Sequence, residues 1–504
     1  MKSNKPVARR RRTWLATLAL LGHMAVAAEP SGAVATSQTP AAAGVRTGDT
    51  PVTEGRDAVE FHPARALNGE DPWRLSDKRV PYPAARVDRL QPLFEAGDPF
   101  LGNGPIRPGL ETPFGQMLQP SFLLFGSFRT ALQTLDDGQK RISEWANRLD
   151  LHGNLHLSGT ERLLFSMRPL DHRSGRYSGY SFEPDDERGW QEDFNPRLTQ
   201  LFFEGDLGEI VPGLDPDDSH TYDIGFSVGR QTLRLQDGML ANDIVDMVGI
   251  TRNSLTLPGL ANLRLTGLYA WDHVIRGNNE GAYTKPHSAT VLGLLAQADT
   301  ALDNTLSLDL LYVRDSHDEN AWYAGVSSTQ RFGALNSTFR INASIPEGGR
   351  SPTVGRGVLL LSQLSRTLPG SDHLVYFNTF GNIGRFTSAA RGPDQGSPVA
   401  NLGILYNPVG MGRYGIPLGQ SIEDSLGATL GYQMFLDGID SQLIFEIGAR
   451  SRIHGGPDRS AIGFGARYQR AIGRRHVLRL DAFQAGQERL GFAYGFRMEW
   501  MVKF

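Results

Sequence analysis

The sequence predicts an all-β protein: a closed antiparallel transmembrane β-barrel of about 18 strands with an N-terminal extension. Apolar residues alternate with polar or small ones in many short segments from residue 120 to the C-terminus. Beyond the N-terminus, no stretch reaches the roughly 20 apolar residues that a membrane helix needs. The 58 glycines suit many short strands and turns. Together these observations favour a membrane crossed by strands.

The last strand shows the alternation most clearly. Apolar residues take every second position from Phe492 to Phe504, and most residues between them are small or charged. Successive strand side chains point to opposite sides, so one face is apolar. A soluble sandwich would also have such a face, but this stripe continues to the C-terminus and ends on an aromatic residue. We expect this strand to face outer-membrane lipids and to be the segment through which the barrel assembly machinery engages the chain.

The segments that alternate in this way number about 18, an even count as single-chain bacterial barrels require. The links between them mostly alternate between short and long, as expected for periplasmic turns and external loops. The links at 208–220 and 316–319 break this rule, and 385–424 is the longest link. The segments begin near residues 120, 143, 160, 197, 221, 247, 260, 288, 304, 320, 334, 356, 372, 425, 441, 460, 475 and 490.

Residues 1–28 have the composition of a secretory signal peptide. The basic run Arg9–Arg12 precedes a short apolar core that begins at Trp14–Leu21, and Ala25–Ala27 supplies the small residues of a cleavage site. A twin-arginine signal is the less favoured alternative, because that route carries folded cargo and a barrel must reach its membrane unfolded. The chain is therefore expected to leave the cytoplasm and to reside in the cell outer membrane.

Residues 29–118 differ from the rest of the chain. They are rich in Ala, Thr, Pro and Gly and show no sustained alternation, and Ser31–Gly55 has the composition of a disordered linker. We interpret 29–118 as a periplasmic extension, partly disordered, or as a plug that enters the lumen. The barrel then occupies residues 119–504.

Composition and motif spacing argue against several other functions. The net charge of -3 argues against a nucleic-acid partner, and the absence of cysteine excludes disulfides and thiol chemistry. His152 and His156 would lie roughly 13 Å apart on a strand, too far to share a metal ion. The acidic loop Asp215–Asp218 is better explained by solvation than by calcium. No Gly-x-Ser-x-Gly motif occurs, so we predict no catalytic residues, no metal and no cofactor.

Side-chain parity places more bases than acids on the inward faces of the strands. Eight bases against five acids give the lumen a cationic bias, which lowers the barrier for a carboxylated or phosphorylated solute. The alternative is that these charges pair between strands and stiffen the wall. The bases are Arg264, Arg340, Arg450, Arg452, Arg467, Arg479, Arg497 and Lys503. The acids are Asp272, Asp309, Glu446, Asp481 and Glu499.

One stretch resembles the alginate-export family of outer-membrane barrels. It runs from the Gly-Arg-Gln of Gly229–Gln231 through the Asp-Gly pair Asp237–Gly238 to Arg252–Asn253. The resemblance implies an 18-stranded barrel with a basic constriction that passes an anionic polysaccharide. It makes Arg230 the motif match, with Arg234 close by.

The stretch departs from the family where Thr256–Gly259 replaces a further Asp-Gly pair on the returning strand. The leading hypothesis is an export or diffusion channel for a polar, anionic, carbohydrate-like solute or polysaccharide. An uptake porin for small organic molecules is the alternative, and a barrel enzyme or adhesive barrel is a third. The predicted solute path is Arg230, Arg234, Arg252, Arg264, Arg340, Arg450, Arg452, Arg467, Arg479 and Arg497.

Overall fold

The computed structural model describes residues 90–97, 109–172, 175–217, 219–276, 289–316, 319–348, 353–419, 423–437, 440–453, 460–488 and 490–504. The predicted signal peptide lies outside these residues, as does most of the predicted extension, so both assignments stay predictions. No helix in the described part of the chain is long and apolar enough to cross a bilayer.

Eighteen antiparallel strands form the wall, each hydrogen-bonded to the next, and the last strand pairs back with the first. In chain order they are β1 (Ser121–Asp136), β2 (Arg141–His156), β3 (Arg162–Met167), β4 (Leu198–Asp206), β5 (Ile224–Leu235), β6 (Ala241–Leu257), β7 (Leu260–Asp272), β8 (Thr290–Thr300), β9 (Asn304–Arg314), β10 (Ala321–Phe332), β11 (Leu335–Pro346), β12 (Gly357–Thr367), β13 (Leu374–Gly384), β14 (Ser425–Leu436), β15 (Ser441–Arg452), β16 (Ala461–Ile472), β17 (His476–Gln487) and β18 (Gly491–Lys503).

The seam between β1 and β18 closes the ring. Its register runs from Tyr494 opposite Asp136 to Lys503 opposite Ser127. Gly126 then donates its N–H to the carbonyl of Phe504 at 2.8 Å and accepts the N–H of Phe504 at 3.1 Å. Backbone pairing thus continues to the last residue, which explains why the apolar stripe does so too.

Two shorter strands complete the wall on the external side of the short strand β3. The periplasmic half of β2 pairs with β3, and its other half pairs with Ser178–Glu183. Ser178–Glu183 in turn pairs with Gly189–Gln191. At the opposite end, Phe94–Ala96 pairs with the start of β1.

The structure confirms the predicted fold class and the strand count. The largest error in a strand start is at β6, expected near residue 247 and observed at Ala241. The reason is that the first residues of β6 lie inside the barrel instead of in its wall, so their two faces do not contrast in polarity. The links at 207–223 and 315–320 break the length rule in the structure as in the sequence.

The outer face of the barrel is apolar. Leu294, Leu308, Ile341 and Ile462 on four different strands expose between 53 and 61 % of their surface, although the chain has a buried core elsewhere. Tryptophans stand near strand ends on this face, at positions 271, 322 and 500, where they suit the membrane–water interface. The protein is therefore an outer-membrane barrel, as the sequence predicted. Both the N-terminal and C-terminal strands begin or end at the rim with the shorter turns, which is the periplasmic rim.

One hairpin leaves the wall and folds into the lumen. Strands β5 and β6 stay paired to each other as far as Leu235 opposite Ala241. Their outer neighbours stop earlier, because β4 pairs only up to Arg230 and β7 only up to Asp246. Residues 231–245, here the hairpin tip, therefore project from the wall, and most of their apolar side chains are buried.

The longest link also lies inside the barrel. Residues 385–419, here the inner loop, contain buried apolar side chains that form one cluster with those of the hairpin tip and the inward faces of the strands. Phe386, Leu402, Leu405, Tyr406 and Leu418 are each at most 1 % exposed. The hydrophobic core thus lies within the lumen.

The apolar outer face gives a testable consequence. Ile447 lies in the middle of β15 with 49 % of its surface exposed, and Phe332 ends β10 beside a turn. Ile447→Arg should lower the free energy of unfolding in lipid by about 2–4 kcal/mol, since it places a charge at mid-membrane depth, and Phe332→Arg by at most about 1 kcal/mol. Urea unfolding in phospholipid vesicles measures both. Equal effects would mean that these positions do not differ in membrane depth.

Candidate functional site

The hairpin tip and the inner loop are joined to each other. Ala241 and Asn242 pair in parallel with Ala390 and Arg391. The N–H of Ala389 also donates to the carbonyl of Leu240 at 2.8 Å. Two segments far apart in sequence therefore form one insertion that narrows the lumen.

A buried carboxylate on β15 holds one part of the inner loop. Glu446 is 1 % exposed and accepts the backbone N–H groups of Ile404 at 2.9 Å and Leu405 at 2.8 Å, as well as the hydroxyl of Tyr376. A Cβ at position 403 would lie 2.0 Å from a Glu446 oxygen, so Gly403 lets the backbone come close enough. The charge is satisfied by three donors, which is what its burial requires.

Wall side chains on β1 and β2 hold the inner loop farther along. Three successive carbonyls, those of Val409–Met411, each accept a hydrogen bond from the wall. Arg129 donates to the first at 3.2 Å, Arg148 to the second at 2.7 Å and Gln133 to the third at 3.2 Å. The inner loop therefore reaches from β15 to β2 along the inside of the wall.

A second buried carboxylate completes this attachment. Glu144 on β2 is 1 % exposed and accepts the backbone N–H of Arg413 at 2.6 Å and its Nε at 2.9 Å. Arg413 also pairs with Glu187 and lies over the ring of Tyr177. Burial lowers the pKa of Arg413, but its bond to Glu144 outweighs this and raises the pKa above its usual value. Arg413 is therefore a fixed cation.

Arginines gather on the adjacent strands β16, β17, β18, β1 and β2 and just after β3. We call this set the arginine face. Acidic side chains are interspersed among them, so the face is a network of ion pairs with a positive surplus. The arginine face consists of Arg129, Arg148, Arg168, Arg467, Arg479 and Arg497.

These arginines differ in how fully they are paired. Arg497 is 0 % exposed and contacts Asp481 at 2.8 Å and Glu499. Arg479 keeps 22 % of its side chain exposed, and its nearest contact with an acid, Glu499, is 3.8 Å. Its hydrogen bonds go to the neutral amide oxygen of Gln469 at 2.9 and 3.1 Å. Of the two, Arg479 is the one whose guanidinium is partly exposed.

Arg168 links the arginine face to the inner loop. It binds both oxygens of Asp171, at 2.8 and 2.6 Å, and Asp394 of the inner loop at 2.8 Å. Burial lowers the pKa of Arg168, but these carboxylates raise it above its usual value. The pair with Asp394 spans from the β3–β4 loop to the inner loop.

A pocket lies between the inner loop and strands β16 and β17. It encloses about 320 Å³, including its open mouth. The rings of Tyr414 and Phe483 meet edge to face at 6.0 Å, and the Tyr414 hydroxyl is buried with no hydrogen-bond partner among the described residues. The pocket is thus mainly apolar with charge at one side. Its lining includes Ile404, Val409, Tyr414, Ile416, Arg467 and Phe483.

Five of the predicted path residues lie on the inward face of the wall, buried or half-buried. Two of them hold the insertion: Arg340 donates to Gln363 and to Asp237 of the hairpin tip, and Arg450 donates to the carbonyl of Leu418 at 3.3 Å. The other three belong to the arginine face. These five are Arg340, Arg450, Arg467, Arg479 and Arg497.

Four other predicted residues belong neither to the arginine face nor to the contacts that hold the insertion. Arg252 donates to two backbone carbonyls at the periplasmic rim, and Arg264 donates to Asn253 at 2.7 Å near the same rim. Arg452 pairs with Glu488 at the opposite rim. Arg230 shares the outward parity of Val228, and it binds both oxygens of Asp246, at 2.8 and 2.9 Å. The role of these residues in solute passage stays a prediction.

Arg234, the remaining one, lies in the hairpin tip. The sequence reading missed Arg129, Arg148 and Arg168. The same parity count applied to β1 and β2 would have found the first two. Arg129, for instance, lies on the same inward face of β1 as Ala131 and Gln133. Arg168 follows a strand of only six residues and carries no periodic signal.

One group in the described residues offers metal-ligand atoms close together. The side chains of Asp246, Asp272 and His273 each place a ligand atom within 4.8 Å of the others. The guanidinium of Arg230 lies among them, 3.0 Å from His273 Nδ1 and bonded to Asp246. Arg230 therefore supplies the cation there, at the point where the hairpin leaves the wall.

His152 and His156, which the sequence placed on one strand, both lie on β2. His152 Nδ1 lies 2.8 Å from Ser166 Oγ, and that hydroxyl lies 3.0 Å from Gln200 Oε1, to which it donates. With its proton on that bond, the hydroxyl accepts from His152, which then cannot act as its base. The arrangement is a hydrogen-bonded wall contact.

No protein-family model matches the chain, and no curated protein matches it. Solved structures do. It is similar to Pseudomonas aeruginosa OpdK, solved with vanillate (TM-score 0.51, 14 % identity, 76 % of this chain and 98 % of that one). It is also similar to P. aeruginosa OccK9 (OpdG), with a TM-score of 0.53 and 13 % identity, and to a BenF-like porin from P. fluorescens Pf-5, with a TM-score of 0.54 and 11 % identity. Each of these two matches covers 76 % of this chain and 98 % of the other.

The fold is that of the Occ/Opd porins. The resemblance to the alginate-export family was therefore wrong. The physical reason is that Gly-Arg-Gln marks the last wall residues of a hairpin that turns inward, and this short pattern does not specify one family of 18-stranded barrels. The glycine of this pattern, Gly229, has φ +124° and lies close to β4. A Cβ at this position would be 2.4 Å from the carbonyl oxygen of Leu201.

Loss of a buried anchor should loosen the inner loop. Glu446→Ala leaves the N–H groups of Ile404 and Leu405 without an acceptor, at about 1–3 kcal/mol for each unpaired group. Hydrogen–deuterium exchange should then be faster in the peptide that contains both residues. Glu488→Ala at the external rim is the control and should leave that peptide unchanged. Unaltered exchange in Glu446→Ala would show that the carboxylate is not an anchor.

Proposed function

We propose that this protein is a passive uptake porin for small anionic organic molecules. The observation that carries the proposal is the arginine face, which lies on one side of the lumen beside the inner loop. Its guanidinium groups are held in place by acids, amides and backbone carbonyls, so their positions are set before a solute arrives. Cationic walls lower the barrier for an anion.

The size of the solute follows from the insertion that the hairpin tip and the inner loop form together. An 18-stranded wall alone encloses a lumen wide enough for bulk water. Here the hairpin tip and the inner loop cover the inward faces of many strands and bury apolar clusters between them. The remaining passage favours a small molecule over a hydrated polymer, which supports uptake of small solutes more than polysaccharide export.

The pocket between the inner loop and β16–β17 supports a solute with an apolar part. An apolar lining around Tyr414 and Phe483 gains free energy by covering apolar surface, and the lining also includes Arg467 with its partner Asp481. The similar OpdK structure contains vanillate, which joins an aromatic ring to a carboxylate. A monocarboxylate with a compact apolar body fits the same combination of surfaces.

Arg479 gives the sharpest test of anion preference. Arg479→Gln removes the exposed guanidinium of the arginine face, so anion selectivity should fall. The matched control is Arg470→Gln on the outer face of β16, whose distance of 3.8 Å to an acid equals that of Arg479. Reversal potentials in planar bilayers under a potassium chloride gradient, repeated with sodium benzoate, measure the change.

The expected result is a reversal potential shifted toward cations in Arg479→Gln and unchanged in Arg470→Gln. Comparable single-channel conductance in both variants would exclude misfolding as the cause. A wild-type channel that prefers cations, or an Arg479→Gln channel with wild-type selectivity, would refute the proposal.

A further inference from the structure

Three arginines outside the arginine face converge on the end of the hairpin tip. Arg234 donates from Nη2 to the carbonyl of Asp237 at 3.3 Å, and Arg340 binds the Asp237 carboxylate. Arg391 of the inner loop donates to the carbonyls of Gly238 and Met239. Three guanidinium groups thus contact three consecutive residues.

The acids nearby do not balance these charges. Asp237 is used by Arg340. Asp243 acts on Arg391 through its charge, but its carboxylate oxygens accept the N–H groups of Ile244 at 2.8 Å and Ile275 at 2.9 Å. Asp309 on the facing strand accepts from Gln236 at 2.8 Å and is not paired with any of the three arginines. Two carboxylates, those of Asp237 and Asp243, therefore act on three guanidinium groups, which leaves one positive charge unbalanced.

Burial lowers the pKa of Arg391 to about 9, Asp243 offsets part of this, and the charge of Arg234 adds to the lowering. Arg391 is still a cation at neutral pH. Arg234 and Arg391 both donate to carbonyls within Asp237–Met239, so their two positive charges lie close together and repel each other, and an anion beside them would relieve that repulsion.

Two donors in the cluster are unused. The Nε of Arg234 is buried without a hydrogen-bond partner, and so is the Nε of Arg340, whose side chain is nine-tenths buried. Arg234 has no carboxylate within 4.0 Å among the described residues, and its hydrogen bond to Asp237 is long. A buried donor left unpaired costs about 1–3 kcal/mol, which a bound acceptor recovers.

We propose that Arg234, with Arg340 and Arg391, forms a second anion-binding site that takes a carboxylate group. It lies where the hairpin tip meets the inner loop and shares no residue with the arginine face. A carboxylate there supplies the missing negative charge and accepts from the free Nε of Arg234.

Crystals of the full-length protein grown in bromide instead of chloride test the site directly. An anomalous peak is expected within hydrogen-bonding distance of Arg234 Nε, and added sodium acetate should reduce its height by competition. The peak should vanish in Arg234→Gln and persist in Arg331→Gln, a control arginine at a periplasmic turn that likewise donates to one backbone carbonyl. Arg234→Lys keeps the charge but loses Nε, so a weaker peak is expected.

Absence of the peak in the wild type, or its persistence in Arg234→Gln, would overturn the proposal. Acetate that leaves the bromide peak intact would overturn the carboxylate class. Heat-modifiable mobility on gels verifies that each variant is a folded barrel, and Arg234→Lys serves if Arg234→Gln does not fold. The outcome is independent of the proposed function, since Arg479→Gln should retain the Arg234 peak whether or not it alters anion selectivity.

Discussion

The pairing of β1 with β18 is the constraint on which the rest of the structure depends. Within a bilayer no water can satisfy a free strand edge, so a sheet that spans it must close on itself. Closure also fixes the two sides of the wall, one toward lipid and one toward the lumen. Side chains alternate along each strand because one side faces lipid and the other faces the lumen. This is why the C-terminal residue is as regular as the middle of a strand: Phe504 pairs with Gly126 and completes the ring.

Closing the ring at 18 strands creates a second problem, because wall side chains alone leave the lumen of such a barrel open. Here the hairpin tip and the inner loop occupy much of it. Backbone placed there needs partners, and the wall supplies them as charged groups facing inward. Glu144 and Glu446 accept inner-loop N–H groups, while Arg129 and Arg148 donate to inner-loop carbonyls. Of the charges that the sequence placed on the inward face, Arg340, Arg450 and Glu446 hold the insertion in place in the same way.

The sequence predicted the wall because its signal is local: each strand alternates every two residues over 6 to 17 residues. It could not predict the insertion, since the inner loop has no period and its burial depends on strands more than a hundred residues away. Residue 247 was expected to start β6 because the preceding residues lie inside the barrel, where one face is buried and the other half-buried, so neither face is apolar toward lipid. Parity identified Arg467, Arg479 and Arg497 as inward, yet it cannot show that Arg497 is fully paired while Arg479 is partly free. Arg230 drew attention as a motif, but its position follows from where β4 ends, which no short pattern encodes.

The graded pairing of the arginines has a consequence for transport. A lumen lined with unpaired guanidinium groups would attract anions but release them slowly, and conduction requires binding weak enough to reverse. An acid beside an arginine competes with the solute and shortens its stay. Arg497 is buried against Asp481 and Glu499, so it contributes to the electrostatic potential of the wall but offers no direct contact. Arg479 offers hydrogen-bond donors, because its nearest acid is more distant. In the proposed anion porin, buried ion pairs with a positive surplus, combined with a few exposed donors, would provide both attraction and release of the solute.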